Sequence, residues 1–190
     1  MQSISSEQFS AWSIGLQQSD RAAYHAVFQG MYDPLYRYAW SITKDSDAAY
    51  DVLQDVFLKL WQVRATIDPD RSLKALLYQM VRNYALNSER RRKRHYAESL
   101  DDQLIEPESE DFKPDTVDSD ALEGQIHRWI EELPQRRREA FMLSRFEGLS
   151  HDEIARIMGL TKKTVNNHIV LALQHLRTRL YAFEPEYEPS

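Results

Sequence analysis

Apolar residues recur three and four positions apart along most of this chain, and no stretch alternates strictly between apolar and polar, so the pattern predicts helices throughout. From Arg21 to about Ser41 the spacing is carried by Ala23, Val27, Phe28, Met31, Leu35 and Tyr38, with Ile42 just beyond. Pro34 falls inside that run and is expected to kink or divide it, because its ring lacks the N–H that a helix interior needs. A second helix is predicted from Asp47 to Trp61, with Val52, Val56 and Leu60 in one row and Leu53 and Phe57 beside it, while Asp51, Gln54, Asp55 and Lys59 stay polar. Asp68-Pro69-Asp70 breaks the pattern. Ser72 then caps a long helix whose apolar face includes Leu76, Met80 and Ala85 and which runs into Arg90, Arg91, Arg92, Lys93 and Arg94.

The most explicit local signal lies near the other end, in LSHDEIARIMGLTKKTVNNHIVLALQHLRTRL, Leu149 to Leu180. Ser150 and Glu153 have capping-box spacing, and Ile154, Ala155 and Met158 form one apolar face. Gly159 stands where a left-handed cap is wanted, with Leu160 placed to fold back onto the core. Thr161 opens a second helix, in which Val165, Ile169, Ala172, Leu176 and Leu180 make one stripe. Lys163 and Asn167 lie roughly opposite that stripe, flanked by Lys162, Thr164 and Asn166. Two capped helices around a glycine turn outline a helix-turn-helix, and such a second helix suits the major groove.

Charge sharpens this picture. The net charge of -6 is segregated: Tyr96 to Asp120 holds ten acids against one base, whereas Gln135 to Ala182 holds nine bases against four acids. The acidic stretch also contains Pro107 and Pro114 and too few apolar residues to offset its ordering entropy, so it reads as a flexible linker. The expected architecture is all-α: two small helical domains, residues 1–95 and 121–182, joined by an acidic linker at 96–120 and followed by a tail at 183–190. The basic C-terminal module is suited to phosphate contact.

Composition excludes several chemistries. Without cysteine there is no disulfide, thiolate zinc site or thiol nucleophile, and the six histidines show no H-E-x-x-H pattern. No apolar run is long enough to span a bilayer and the N-terminus lacks a positive leader, so a soluble protein of the cytoplasm is expected, with no membrane insertion. Asp51 and Asp55, one turn apart, have no third metal ligand beside them; protein contact or solvation is the expected use, and neither an enzyme nor a cofactor is predicted. Arg90 to Arg94 would attract phosphates, and Asn83 and Asn87, one turn apart before that run, have the donors and acceptors to meet nucleotide bases.

Together these segments resemble a bacterial extracytoplasmic-function sigma factor, from about Asp20 to Leu180. DAAYDVLQDVFLKLWQ (Asp47 to Gln62) is similar to that family's polymerase-binding segment, SLKALLYQMVRNYALNSERRRKR (Ser72 to Arg94) to its helix for the -10 element, and ELPQRRREAFMLSRFEGLSHDEIARIMGLTKKTVNNHI (Glu132 to Ile169) to its -35 domain. The resemblance implies that residues 1–95 are sigma region 2 and residues 121–182 region 4. It implies docking of Asp51, Gln54, Asp55, Phe57 and Leu58 on core RNA polymerase. Asn83 and Asn87 would face the melted -10 element beside a loop from Asp68 to Leu73, with Arg90, Arg91, Arg92, Lys93 and Arg94 on the adjacent backbone. Thr161, Lys162, Lys163, Thr164, Asn166, Asn167 and Val170 would meet the duplex -35 element, and Arg136, Arg137 and Arg138 its phosphates. An anti-sigma factor is the further partner implied.

The chain departs from the family pattern at Asn166, His168 and Leu171, near which Arg is common, so fewer cationic contacts are available and Leu171 is a candidate for contact with another protein. The acidic linker is expected to screen the basic faces before assembly or to thread through the polymerase. The rival reading is a helix-turn-helix regulator of the response-regulator type, which would need a receiver domain of alternating strands and helices.

Overall fold

The structure is a computed structural model, and it describes residues 4–99 and 122–184. The chain divides into two compact units, Met1–Phe112 and Lys113–Ser190. Among the described residues there are eight α-helices, one 3-10 turn and no strand. Of the linker expected at 96–120, residues 100–120 lie outside the described residues, as do residues 185–190 of the tail expected at 183–190.

The N-terminal unit holds α1 (Ser6–Gln17), α2 (Arg21–Thr43), α3 (Ser46–Val63), a 3-10 turn (Arg64–Thr66) and α4 (Leu73–Ser99). Each helix begins on a side-chain cap: Ser5 and Gln8 form a capping box, and Asp20, Asp45 and Ser72 accept from Ala22, Ala48 and Ala75. Pro34 does not divide α2. It removes one backbone bond, but Val27, Met31, Leu35, Tyr38 and Ala39 are buried on both sides of it, and their packing carries the helix through. α2 ends at Lys44 in the left-handed region, φ 52°.

Helix α1 had no prediction of its own, because only Trp12, Ser13, Leu16 and their neighbours repeat. Its written signal is the Ser5-x-x-Gln8 box. It packs closely on α2 at Gly15, where an added Cβ would lie 2.5 Å from that of Ala23. Helix α4 also differs from expectation. Leu73, Leu77, Tyr78, Val81 and Ala85 are buried, whereas Leu76 and Met80 are half-buried. The reason is that α4 packs against both α2 and α3, which rotates and widens the stripe it must cover. It also continues to Ser99, beyond the expected end near Arg94.

The C-terminal unit holds α5 (Leu122–Glu131), α6 (Gln135–Arg145), α7 (His151–Met158) and α8 (Lys162–Phe183). Ile130, Leu133, Phe141 and Ala172 form a buried cluster, with Met142 and Leu176 packed on it. The helix-turn-helix forms as the caps direct. Ser150 and Glu153 satisfy each other's backbone N–H, Gly159 sits at φ 65°, and the Leu160 N–H donates to the Ala155 carbonyl at 2.9 Å. Ile157 joins Ile154, Ala155 and Met158 in the core, while Leu176 and Leu180 are only half-buried.

Candidate nucleic-acid interface

Burial of Val165, Ile169 and Ala172 turns the opposite face of α8 to solvent, leaving Lys162, Lys163, Asn166, Asn167 and Val170 exposed. Thr161 and Thr164 are engaged with each other: the Thr161 hydroxyl accepts the Thr164 N–H at 3.1 Å and lies 2.8 Å from the Thr164 hydroxyl. These two serve the helix start. Lys162 Nζ donates to an Asp152 carboxylate oxygen at 2.7 Å, bridging the starts of α7 and α8.

The three arginines of α6 have separate surroundings. Arg136 is exposed and Arg137 half-buried. Arg138 is turned inward, pairing with Glu131 and donating to the Leu133 carbonyl at 3.2 Å, with its side chain 16% exposed. Arg138 thus clamps the corner between α5 and α6, whose carbonyls lack helical partners, a use that competes with its expected phosphate contact. Glu132, from the same corner, pairs with Arg179 of α8 at 2.6 Å, and His175 Nε2 lies 3.3 Å from the same carboxylate oxygen. Next to Arg136 and Arg137 in charge is His168; burial, then Arg137 and Arg136, hold its imidazole below the ordinary 6.5. Leu171 is half-buried.

In the N-terminal unit Asn83 and Asn87 are exposed on successive turns of α4, and Arg90, Arg91, Lys93 and Arg94 follow them on the surface. Arg92 differs from its neighbours. It pairs with Glu89 at 3.0 Å and Asp45 at 3.6 Å, and reaches the Thr43 carbonyl at 3.5 Å, so it ties α4 to the corner between α2 and α3. That use competes with the expected contact to a nucleic-acid backbone. The loop before α4 is folded on itself: the Asp70 N–H donates to Asp68 at 3.0 Å, Arg71 pairs with Asp68 at 3.2 Å, and Ile67 and Leu73 bury its two ends.

On α3, Asp51, Gln54 and Asp55 are exposed and Leu58 is 58% exposed, an acidic face around one apolar side chain. Phe57 does not share that face. It is 4% exposed, its ring packs with Phe28 and Tyr24, and its carbonyl accepts the Tyr24 hydroxyl at 3.1 Å. Of the residues expected to dock on polymerase, Phe57 is thus placed in the core, where it holds α3 on α2. Beside this face runs an aromatic seam that sequence reasoning passed over: Phe28, Tyr32 and Tyr36 of α2 meet Phe57 and Tyr50 of α3. Its signal was the row Tyr24, Phe28, Tyr32, Tyr36, four residues apart.

Comparison with known proteins bears on this arrangement directly. The model for "Sigma-70 region 2" matches residues 27–95, and that for "Sigma-70, region 4" matches residues 123–176. The chain is 30% identical over 145 residues to the RNA polymerase sigma factor SigV of Bacillus subtilis, spanning 76% of this chain and 83% of that one. The chain belongs to the extracytoplasmic-function sigma factors of bacterial RNA polymerase. It is likewise 29% identical over 164 residues to the ECF sigma factor SigL of Mycobacterium tuberculosis, covering 84% of this chain and 92% of that one. Among solved structures, the sigma factor RpoE of Bartonella quintana, crystallised with the anti-sigma factor NepR, superposes with TM-score 0.67 at 26% identity, covering 83% and 96% of the two chains. CnrH, solved with the cytosolic domain of CnrY, shares the fold with TM-score 0.63 at 21% identity, covering 92% and 98%.

As a sigma factor the protein binds core polymerase and directs promoter-specific initiation of transcription. The response-regulator alternative is not favoured, since region 2 occupies residues 27–95 and the described residues of the N-terminal unit contain no strand for a receiver. Among the described residues no helix is long and apolar enough to cross a membrane, and no group of three acidic or histidine side chains is placed to hold a metal ion.

Proposed function

We propose that the two units divide the work of promoter contact between them. Residues 121–182 read the -35 duplex through Lys163, Asn166, Asn167 and Val170, with Lys162, Arg136 and Arg137 on phosphates. Residues 1–95 dock on polymerase through Asp51, Gln54, Asp55 and Leu58, and hold the melted -10 strand with Asn83 and Asn87 and the exposed cations Arg90, Arg91, Lys93 and Arg94. The observation that carries this reading is the pairing of exposed amides with exposed cations on both α4 and α8, each opposite a buried face. Amides meet base edges and cations meet phosphates, so each helix is equipped for both.

Strand opening on this reading requires no chemistry by the protein. A surface that binds only the unpaired strand shifts the duplex toward the open form, and no bond is made or broken. The protein therefore acts as a non-enzymatic subunit, in the cytoplasm where polymerase works. The family neighbour solved with NepR supports a corresponding anti-sigma partner for this chain. The test is reconstitution. Mixed with bacterial core polymerase, the protein should co-elute with it and start transcripts at discrete sites on the source genome; failure to associate with core would overturn the reading.

A further inference from the structure

Lys162 and Asp152 are ten residues apart, at the starts of α8 and α7, and their side chains are 63% and 56% exposed. An ion pair so exposed contributes little to folding, because solvent screens it. Nor is Asp152 needed for the helix cap, because Ser150 and Glu153 supply both capping bonds. The carboxylate is therefore not required by the cap; it stands in the first turn of a helix whose partner presents cations and amides to solvent. Its surroundings are basic: the hydrogen bond from Lys162, with the charges of Lys162, Arg156 and His151, holds it below the usual carboxylate range, so it stays ionised.

The geometry points to Asp152 as an internal substitute for a DNA phosphate, which occupies Lys162 in the free protein and yields it only when a duplex phosphate takes its place. The inference rests on the reading that Lys162 meets DNA. Its consequence is a brake on sequence-independent affinity. The pair presents no net charge, so it adds little to binding on arbitrary sequence, and discrimination is left to Lys163, Asn166 and Asn167. Removing the carboxylate gives the reading face one more uncompensated cation. Because each phosphate neutralised steepens the salt dependence by about 0.9 in the log–log slope, a fourfold rise in salt should erase about a threefold share of the gain.

The test uses holoenzyme made with the full chain and measures its affinity for a promoter duplex and for one of equal length with the -35 element permuted, at 50 and 200 mM KCl. Asp152→Asn should tighten both by a similar factor, by about threefold more at the lower salt, while melting with the wild type. Lys162→Ala should weaken both, and in that background the gain from Asp152→Asn should fall by more than half. Four results would overturn the proposal. If Asp152→Asn has no effect while Lys162→Ala weakens binding, Lys162 meets DNA but Asp152 does not hold it back. If Asp152→Asn weakens only the natural promoter, the carboxylate positions Lys162 to read a base. If its gain is undiminished in the Lys162→Ala background, it acts by simple repulsion. If Lys162→Ala is silent in both backgrounds, Lys162 does not meet DNA and the underlying reading falls with the proposal.

Discussion

The helix-turn-helix of α7 and α8 and the long helix α4 both present amides and cations to solvent, yet they are put in place by different physics. The first is set by neighbours in sequence: a capping box at Ser150 and Glu153, a left-handed Gly159, and a threonine cap at Thr161. The second has one cap, at Ser72, and then 27 residues whose rotation is fixed by what α2 and α3 offer it. Local encoding yields a small reading module that can be aimed by a few residues. Non-local encoding makes the presentation of Asn83 and Asn87 depend on the packing of the whole N-terminal unit.

The largest effects should come from breaking the packing under α4. Leu77 is fully buried there, so Leu77→Ala should cost the N-terminal unit about 2–5 kcal/mol. Hydrogen exchange on the full chain should show amides of α2 to α4 losing protection while those of α7 and α8 keep theirs. Equal loss in both units would mean that they are not separately stabilised. The matching disruption of the local device is smaller. Gly159 is at φ 65° with open space around it, so Gly159→Ala should cost about 1–2 kcal/mol through backbone strain alone, confined to the C-terminal unit.

Within α4 itself, Arg92 and Arg91 offer a finer contrast. Arg92→Ala releases the ties to Asp45, Glu89 and Thr43, and, with its side chain 46% exposed, should lower stability by about 1 kcal/mol or less after solvent screening. Arg91→Ala should leave melting unchanged and instead reduce the salt slope of single-strand binding by about 0.7. The reverse pattern would exchange the two roles.

Smallest of all is a pH effect in the C-terminal unit. His168 is held below its ordinary 6.5 by burial and then by Arg137 and Arg136, so the folded state binds its proton less readily than the unfolded chain does. Its contribution is intact above about pH 6.5 and is lost as pH falls below that value. His168→Gln should therefore lose less stability than the wild type between about pH 7.5 and 5.5; an identical loss would show that the imidazole is not the group responsible.

The same contrast explains what could be read from the chain alone. The turn at Gly159 and the caps at Ser150, Thr161 and Ser72 are complete within a few residues, so they were legible. The direction of α4 was not, because Leu76 and Leu77 are equally apolar and only the approach of α2 and α3 chooses between them. That α2 is not divided at Pro34 has a related reason: the rule that Pro breaks helices is local, and tertiary burial along α2 carries the helix through. Of the candidate interface, residue types were legible but their engagements were not. Nothing in RRR or RRRKR distinguishes Arg138 or Arg92, which fold back on helix corners, from Arg136 or Arg91, which do not. Phe57 likewise shares a helix with Leu58, and only the aromatic seam of α2 shows which of the two is buried.

The central claim, that α4 and α8 serve separate promoter elements, is tested most directly by crossing variants with templates in one open-complex assay. Holoenzymes carrying Asn83→Ala or Asn167→Ala would be measured on the natural promoter, on one with its -10 element replaced, and on one with its -35 element replaced. Each variant should lose activity on the natural promoter and lose nothing further on the template that lacks its own element. If both variants are impaired to the same degree on all three templates, the division of labour between the two helices is wrong.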